Sequence, residues 1–493
     1  MEDTNSLIQI RKDKIEQIKN EFKVNPFPYK YDVTHYSKEI IDNYDTYFEE
    51  QSEVSIAGRI MATRVMGKAS FCTIQDKDGK IQLYISDKNI GSDSYSLFKI
   101  MDIGDIIGVK GTVKKTKVGE ITVYITELTL LTKNVRPIPV VKEKDGEAFD
   151  LFTNKELRYR NRQLDLIVNP DVKDTFIKRI QIIKNIKSIL DSKNFFEVET
   201  PILQPLYGGA SASPFISHHN ALDIDLYMRI SLEPYLKRLI VGGFDRVYEI
   251  GKCFRNEGID RTHNPEFTML ELYQSYGDFN DMMELAEKII TETAIAINGT
   301  TVVKSGDKEI NLKGPWKRIK MTDAIKEYSG IDVMNLSDSD LESEVKKHGG
   351  DIKGEFNRGL AINELFELLV EDKLVEPTFI THQPVETTPL CKPDIEDERF
   401  LSRFELIING TEFANAYSES NDPIFQRNTL YEQSLRRVVD DEAPPMDENF
   451  VQAIEAGMPP TGGMGIGVDR LVMLLTGEVS IRDVLLFPTM RPE

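Results

Sequence analysis

Three cysteines in 493 residues, Cys72, Cys253 and Cys391, are too few and too scattered for a disulfide framework or a zinc site. They are expected as small packed residues. Long apolar runs are also missing: none approaches the roughly 20 residues needed to span a membrane. The first residues, MEDTNSLIQIRKDKIEQ, carry no apolar signal core, so a cytoplasmic location and no membrane partner are expected. Net positive charge is lacking too. With 61 Lys and Arg against 81 Asp and Glu, the net charge of −20 argues against indiscriminate nucleic-acid binding. The balance is uneven, because residues 51–140 hold 13 basic and 9 acidic side chains. A locally basic module on an acidic body suits a protein that binds one RNA and rejects most others.

What is present fits a globular enzyme, at 40% hydrophobic and 29% charged residues. The length allows about three structural units. Residues 1–50 predict a helical segment, broken at PFPY (26–29). Short β-runs then begin at Val54: VSIAGRIM, ASFCTIQD, KIQLYIS, IIGVKGTVKKT and EITVYITELTLL. Five strands with glycine turns and one short helix near 94–101 fit a five-stranded OB barrel over 51–134, although other small barrels would read similarly. A linker is expected over 135–156. Residues 157–493 mix helices and hairpins without repeated βαβ units, with a helical insertion at about 297–400. The fold class is therefore α+β, the second domain resting on an antiparallel sheet with flanking helices.

The densest chemistry lies in residues 252–273, KCFRNEGIDRTHNPEFTMLELY. Two β-runs, 248–254 and 267–276, flank a polar loop rich in turn formers. Period 2 puts Phe267, Met269, Glu271 and Tyr273 on one face of the second run. Arg255 offers a rigid fork for phosphate, and an aromatic offers a stacking plane for a base. A surface hairpin could carry the same charges as solvated groups. A second arginine opposes that reading: Arg470 ends GGMGIGVDR (462–470) and opens an apolar run of helical period. A dinucleotide fold would need a third glycine where Arg470 stands, so that alternative fails. Two arginines holding different phosphates of one triphosphate fit better.

FEVETP (196–201), FRNE (254–257) with RTHNPEF (261–267), and GIGVDR (465–470) resemble motifs 1, 2 and 3 of class II aminoacyl-tRNA synthetases, in order. Longer runs narrow the likeness to lysyl-tRNA synthetases of the bacterial type: GKASFCTIQD (67–76), RYRNRQLDL (158–166), SHHNALDIDLYMRIS (217–231) and IRDVLLFPTMRP (481–492). The resemblance covers nearly the whole chain. It implies an ATP-dependent ligase that activates L-lysine as lysyl-adenylate and transfers it to the 3′ end of tRNA(Lys). It also implies a homodimer, and Mg²⁺ at more than one ion per subunit.

The resemblance assigns Arg255 and Arg470 as the catalytic arginines, with ATP further contacted by Glu257, His263, Asn264 and Phe267. Lysine falls to Gly209, Glu233, Glu271, Tyr273, Asn415, Tyr417 and Glu419. The anticodon falls to Phe71, Gln82 and Glu127; without the family likeness, Phe71 would be taken for a core residue. Two departures stand out. Ser213 replaces a residue usually basic, and Pro234 in SLEPYLKR alters the segment that carries Glu233.

The residues themselves support part of this. Asn409-Gly410 predicts a type I′ turn. Ile407 then pairs with Glu412, and Glu405 becomes the diagonal neighbour of Glu412, about 7–8 Å away. Two such carboxylates suit one hard cation bridging phosphates, and two exposed glutamates on a strand face are the plain alternative. Asn415, Tyr417 and Glu419 share a face but have the opposite parity to Glu412. A bulge or bend near Ala414 is required if both sets line one pocket. Glu233 and Glu419 are natural partners for an ε-ammonium, since a buried cation needs paired charge. An aspartate-specific relative would need a cation there, and the same two carboxylates argue against an aspartate- or asparagine-type enzyme. A non-catalytic RNA-binding paralogue is opposed by intact Arg255, Glu405, Glu412 and Arg470. A relative that modifies elongation factor P with lysine lacks the barrel.

Overall fold

The computed structural model describes all residues except 1, 140–141, 145–146, 150–151, 353, 436–443 and 493. The expected linker at 135–156 therefore lies partly outside the described residues. The chain divides into two compact units, residues 1–158 with 163–168, and residues 159–162 with 169–493.

The first unit is a closed barrel of β1 (Glu53–Met66), β2 (Ala69–Gln75), β3 (Lys80–Ser86), β4 (Ile106–Lys115) and β5 (Ile121–Thr132), in the order β1-β2-β3-β5-β4. Strict alternation drives it: Cys72 and Ile74 on β2, and Ile81, Leu83 and Ile85 on β3, point into the core while their neighbours point out. Helix α1 (Glu2–Asn20) joins this unit, and its Ile18 is fully buried in the barrel's core cluster. The N-terminal segment thus packs on the barrel and does not form a body of its own. Lys133 and Asp105, both with fully buried side chains, pair at 2.9 Å, and Lys14 of α1 reaches Asp102 at 2.7 Å.

In the second unit an eight-stranded sheet carries helices on both of its faces. Its helices include α2 (Pro170–Ser192), α3 (Glu233–Val241), α4 (Phe279–Asn298), α5 (Arg358–Leu369), α6 (Glu448–Glu455) and α7 (Val468–Thr476). The strands are β6 (Phe196–Glu197), β7 (Arg246–Phe254), β8 (Glu266–Ser275), β9 (Lys317–Lys320), β10 (Thr378–Thr381), β11 (Arg403–Ile407), β12 (Glu412–Ser418) and β13 (Thr461–Gly467). They lie in the order β9-β10-β11-β12-β13-β8-β7-β6. The six inner strands pair antiparallel, as expected, but β6 and β9 pair parallel, so the sheet is mixed.

The expected insertion at 297–400 is joined to the sheet. Its β9 and β10 extend the main sheet, and its helices build a satellite core that includes Ile380 and Ile407 of the sheet. Parallel pairing of Lys317–Lys320 with Thr378–Thr381 leaves no local signal in sequence, because the two strands are separated by the helices between them.

Strand period decides where the site can be. Leu270 and Leu272 on β8, Ala414 and Ala416 on β12, and Met464 and Ile466 on β13 join one core with Ile182 and Ile186 of α2, Met282 of α4 and Leu471 of α7. The alternate residues of the same three strands face the opposite side of the sheet. Helix α4 is fixed by a capping box, Asp278 with Asp281, and ends at Gly299 in the left-handed region.

Candidate active site

Two cavities lie along that opposite face. One, of about 210 Å³, is lined by Arg255, His263, Phe267, Glu412 and Arg470; the other, of about 350 Å³, by Gly209, Glu233, Glu271, Asn415, Tyr417 and Glu419. Arg255, Met269, Glu412, Asn415 and Gly465 line both. The expected face of β8 therefore runs from the first cavity, at Phe267, to the second, at Glu271 and Tyr273.

In the smaller cavity, Arg255 follows the end of β7 and its backbone N–H donates to the Pro265 carbonyl at 2.9 Å, closing the loop. Its guanidinium lies 5.1 Å over the Phe267 ring, and its buried Nε has no hydrogen-bond partner. Arg470 sits in the first turn of α7 and donates from Nη1 to the Glu412 carbonyl at 2.6 Å. Its Nη2 lies 3.4 Å from His263 Nε2, and His263 Nδ1 lies 2.8 Å from Asp260. Glu257 is exposed and lines the same cavity. The Asn264 amide is committed to the backbone, donating to the Glu266 carbonyl at 2.7 Å and accepting from Thr489 N–H at 3.3 Å, so it holds the loop.

Asp469 was missed by sequence reasoning. Its carboxylate accepts from Thr268 N–H at 2.6 Å and pairs with Arg179 of α2 at 2.6 Å, tying the start of α7 to β8 and so fixing Arg470. Position beside a motif arginine was its only signal.

The larger cavity is acidic. Glu271, 5% exposed, accepts from Ser231 Oγ at 3.1 Å, Leu232 N–H at 3.0 Å and Tyr273 O–H at 3.1 Å. Burial, reinforced by Glu233, pushes its carboxyl up to about 7 against the three donors. Glu233 opens α3. Between Glu233 and Glu419 lies a fully buried ammonium, that of Lys237, paired with both. This partner was not foreseen, although a lysine four residues after a glutamate on one helix is a visible pattern.

Gly209, at φ 83°, is a true close approach: a Cβ there would lie 2.7 Å from Ser231 Oγ and 2.9 Å from Pro234 Cδ. Pro234 stands in the first turn of α3, where a missing N–H costs nothing, so this departure is absorbed. At Ser213 the backbone carbonyl accepts from Asn256 N–H at 2.8 Å, whatever its side chain. Gly463 on β13 leaves room for Glu419 and Tyr273, which a Cβ would overlap.

Asn409 and Gly410 both have positive φ, 52° and 65°, as the expected turn requires. Ile407 pairs with Glu412 and Leu406 with Ala414, so Phe413 is the extra residue of a bulge beside the expected position. Glu405 then faces Asn415. Arg403, also unforeseen, ties both together: it pairs with Glu405 and donates to Asn415 Oδ1 at 3.1 Å and Thr387 Oγ1 at 2.9 Å. Glu367, Glu371 and Glu412 crowd the same region. Burial first, then Glu405 and its acidic neighbours, push Glu371 up to about 7. Arg403 beside Glu405 and Arg470 beside Glu412 offset part of this charge, and the remaining excess of carboxylates fits a cation. Among the described residues no group of three or more His, Cys, Asp or Glu is arranged to hold an ion.

On the barrel, Phe71 is half-buried and outside the core, its ring 5.4 Å from that of Tyr84, which lies 4.8 Å from Tyr124. Gln82 accepts from Thr122 Oγ1 at 2.8 Å on the neighbouring strand. Glu127 pairs with Lys110 at 2.7 Å, beyond a register shift in β5. Phe71 and Gln82 are thus neighbours of one aromatic row, and Glu127 stands further along its strand.

Comparison with known proteins agrees with this architecture. The model of class II tRNA synthetases (D, K and N) matches residues 154–491, and that of an OB-fold nucleic acid binding domain matches residues 54–131. The "Lysine--tRNA ligase" of Bacillus subtilis is 50% identical over 497 residues, 99% of this chain and 98% of that one. The proteins of the same name from Enterococcus faecalis and Halalkalibacterium halodurans are 50% and 49% identical, covering 100% and 99% of this chain, and 98% and 97% of their own. The chain belongs to the lysine--tRNA ligase family of the class II tRNA synthetases.

Proposed function

We propose that the chain activates L-lysine with ATP and transfers it to the 3′ end of tRNA(Lys). The observation that carries this reading is the continuous strand face joining an arginine-bearing cavity to a buried acidic one, with Arg255 lining both. In the first step a lysine carboxylate oxygen attacks the α-phosphorus of ATP. A new P–O bond forms, the bond to the β-phosphate oxygen breaks, and pyrophosphate leaves. Both reactants are anionic, so charge neutralisation and alignment supply most of the rate. Arg255 is placed to take the carboxylate and α-phosphate, and Arg470 the far phosphates, while Phe267 supplies a stacking plane for adenine. Glu405 and Glu412 would hold Mg²⁺, which when bound neutralises the phosphates. In the second step a terminal hydroxyl of the tRNA attacks the adenylate carbonyl and AMP leaves.

The acidic cavity suits lysine and rejects aspartate, whose side chain would meet Glu233, Glu271 and Glu419. The barrel's aromatic row supports anticodon contact through Phe71. A homodimer is supported by apolar side chains left exposed near motif 1, Ile180 at 66% and Phe196 at 60%, the latter on an edge strand. Among the described residues no helix is long and apolar enough to cross a membrane, and we place the activity in the cytoplasm with its tRNA. Charging of tRNA(Lys) with labelled lysine, dependent on ATP, tests the whole reading; failure to charge with a functional transcript would refute it.

A further inference from the structure

The slot between Glu233 and Glu419, where a substrate ammonium would be expected, holds the chain's own Lys237. Its side chain is fully buried, and Phe450 of α6 lies 5.9 Å from its ammonium. Cys391, Arg403, Tyr273 and Tyr417 complete the surroundings of the two glutamates. Burial works against the charge on Lys237, but the two carboxylates outweigh it and hold the ammonium charged. Glu271, in the same cavity, has hydrogen-bond donors and, among the described residues, no cation paired with it.

The charges then sum simply. With all four groups ionised, Glu233, Glu271 and Glu419 together with Lys237 carry −2; Glu412, Asp447 and Arg255 line the cavity further out. A lysine substrate brings two ammonium groups, and its carboxylate is directed towards Arg255. Without Lys237 these three glutamates would stand at −3, and two buried carboxylates would face each other unpaired. Such a pair traps a proton or splays apart, and either outcome spoils the receptor.

Resting on the lysine reading above, we propose that Lys237 is a specificity-determining positioning residue: it pairs and spaces Glu233 and Glu419, so that the pocket matches a substrate carrying two ammonium groups. It acts through the glutamates and does not itself react.

The test is a charge-coupling cycle on the full chain, read by lysine-dependent ATP–pyrophosphate exchange. Lys237→Met should raise the lysine KM about tenfold or more and move the ATP KM by no more than about twofold. Lys237→Arg, which keeps the charge, should recover most of the loss. Adding Glu233→Gln to Lys237→Met should cost less than the two single losses multiplied, because one unpaired carboxylate has been removed. An unchanged lysine KM in Lys237→Met, or losses that simply multiply, would overturn the proposal. Should Lys237→Met fail to fold, the Arg variant and the double variant decide. The same cycle read as urea midpoints reports the coupling even if the wild type shows no lysine-dependent exchange. That result would sink the activity reading while still judging the ion triad: coupling there keeps Lys237 as the charge partner, and its absence overturns the proposal.

Discussion

Asn415 stands directly across the β11–β12 ladder from Glu405, while Glu412, three residues earlier, faces Ile407. An unbroken strand would put Glu412 and Asn415 on opposite faces of the sheet. The bulge at Phe413 resets the period, so Glu412 and Asn415 line the same two cavities. Arg403 then bonds to one member of each set.

The two arginines should be separable from stability. Arg255→Ala and Arg470→Ala are each expected to slow adenylate formation on the order of 10²-fold or more, since each removes a cation aimed at phosphate. Thermal unfolding should be nearly unchanged, because neither residue belongs to the packed core. A variant that keeps wild-type exchange removes that arginine from the mechanism.

Lysine binding should titrate with Glu271. Its carboxyl is held near about 7 in the free pocket, so below that pH it is increasingly protonated and cannot pair with an ammonium. The kcat/KM for lysine should therefore fall on the acid side, approaching about tenfold per pH unit, and level off above the pKa. Glu271→Gln should abolish that acid limb. A limb that survives unchanged belongs to another group, of which Glu371, also pushed up to about 7, is the first to examine.

Metal dependence should follow Glu405 and Glu412. The double variant Glu405→Gln, Glu412→Gln should need more Mg²⁺ for half-maximal exchange, with the lysine KM little altered. Superimposable Mg²⁺ titrations would contradict the assignment.

The barrel should matter to tRNA alone. Phe71→Ala is expected to cost about 1–3 kcal/mol of tRNA binding, the usual loss of one stacked base, and to raise the tRNA KM. Pyrophosphate exchange should hardly move. A parallel fall in exchange would mark Phe71 as a packing residue, whereas no change in either would shift attention to the basic residues Arg64 and Lys68.

Much of this was legible in the sequence because it is local. Period 2 placed Phe267, Met269, Glu271 and Tyr273 on one face, and turn chemistry placed Asn409-Gly410 and hence the Ile407–Glu412 pairing. The parity conflict between Glu412 and Asn415 even required the bulge. What escaped was non-local. Lys237 meets Glu419 only when α3 packs on β7 and β8, and Asp469 meets Arg179 only when α7 lies against α2. The two parallel edge pairings, of β6 and β9, likewise have no turn to announce them.

The most direct measurement is ATP–pyrophosphate exchange with each of the twenty amino acids in turn. L-lysine should support exchange, and aspartate and asparagine should not, because Glu233, Glu271 and Glu419 oppose an anionic side chain and leave a neutral amide without a matching charge. Exchange driven by aspartate or asparagine, or by no amino acid at all, would contradict the account.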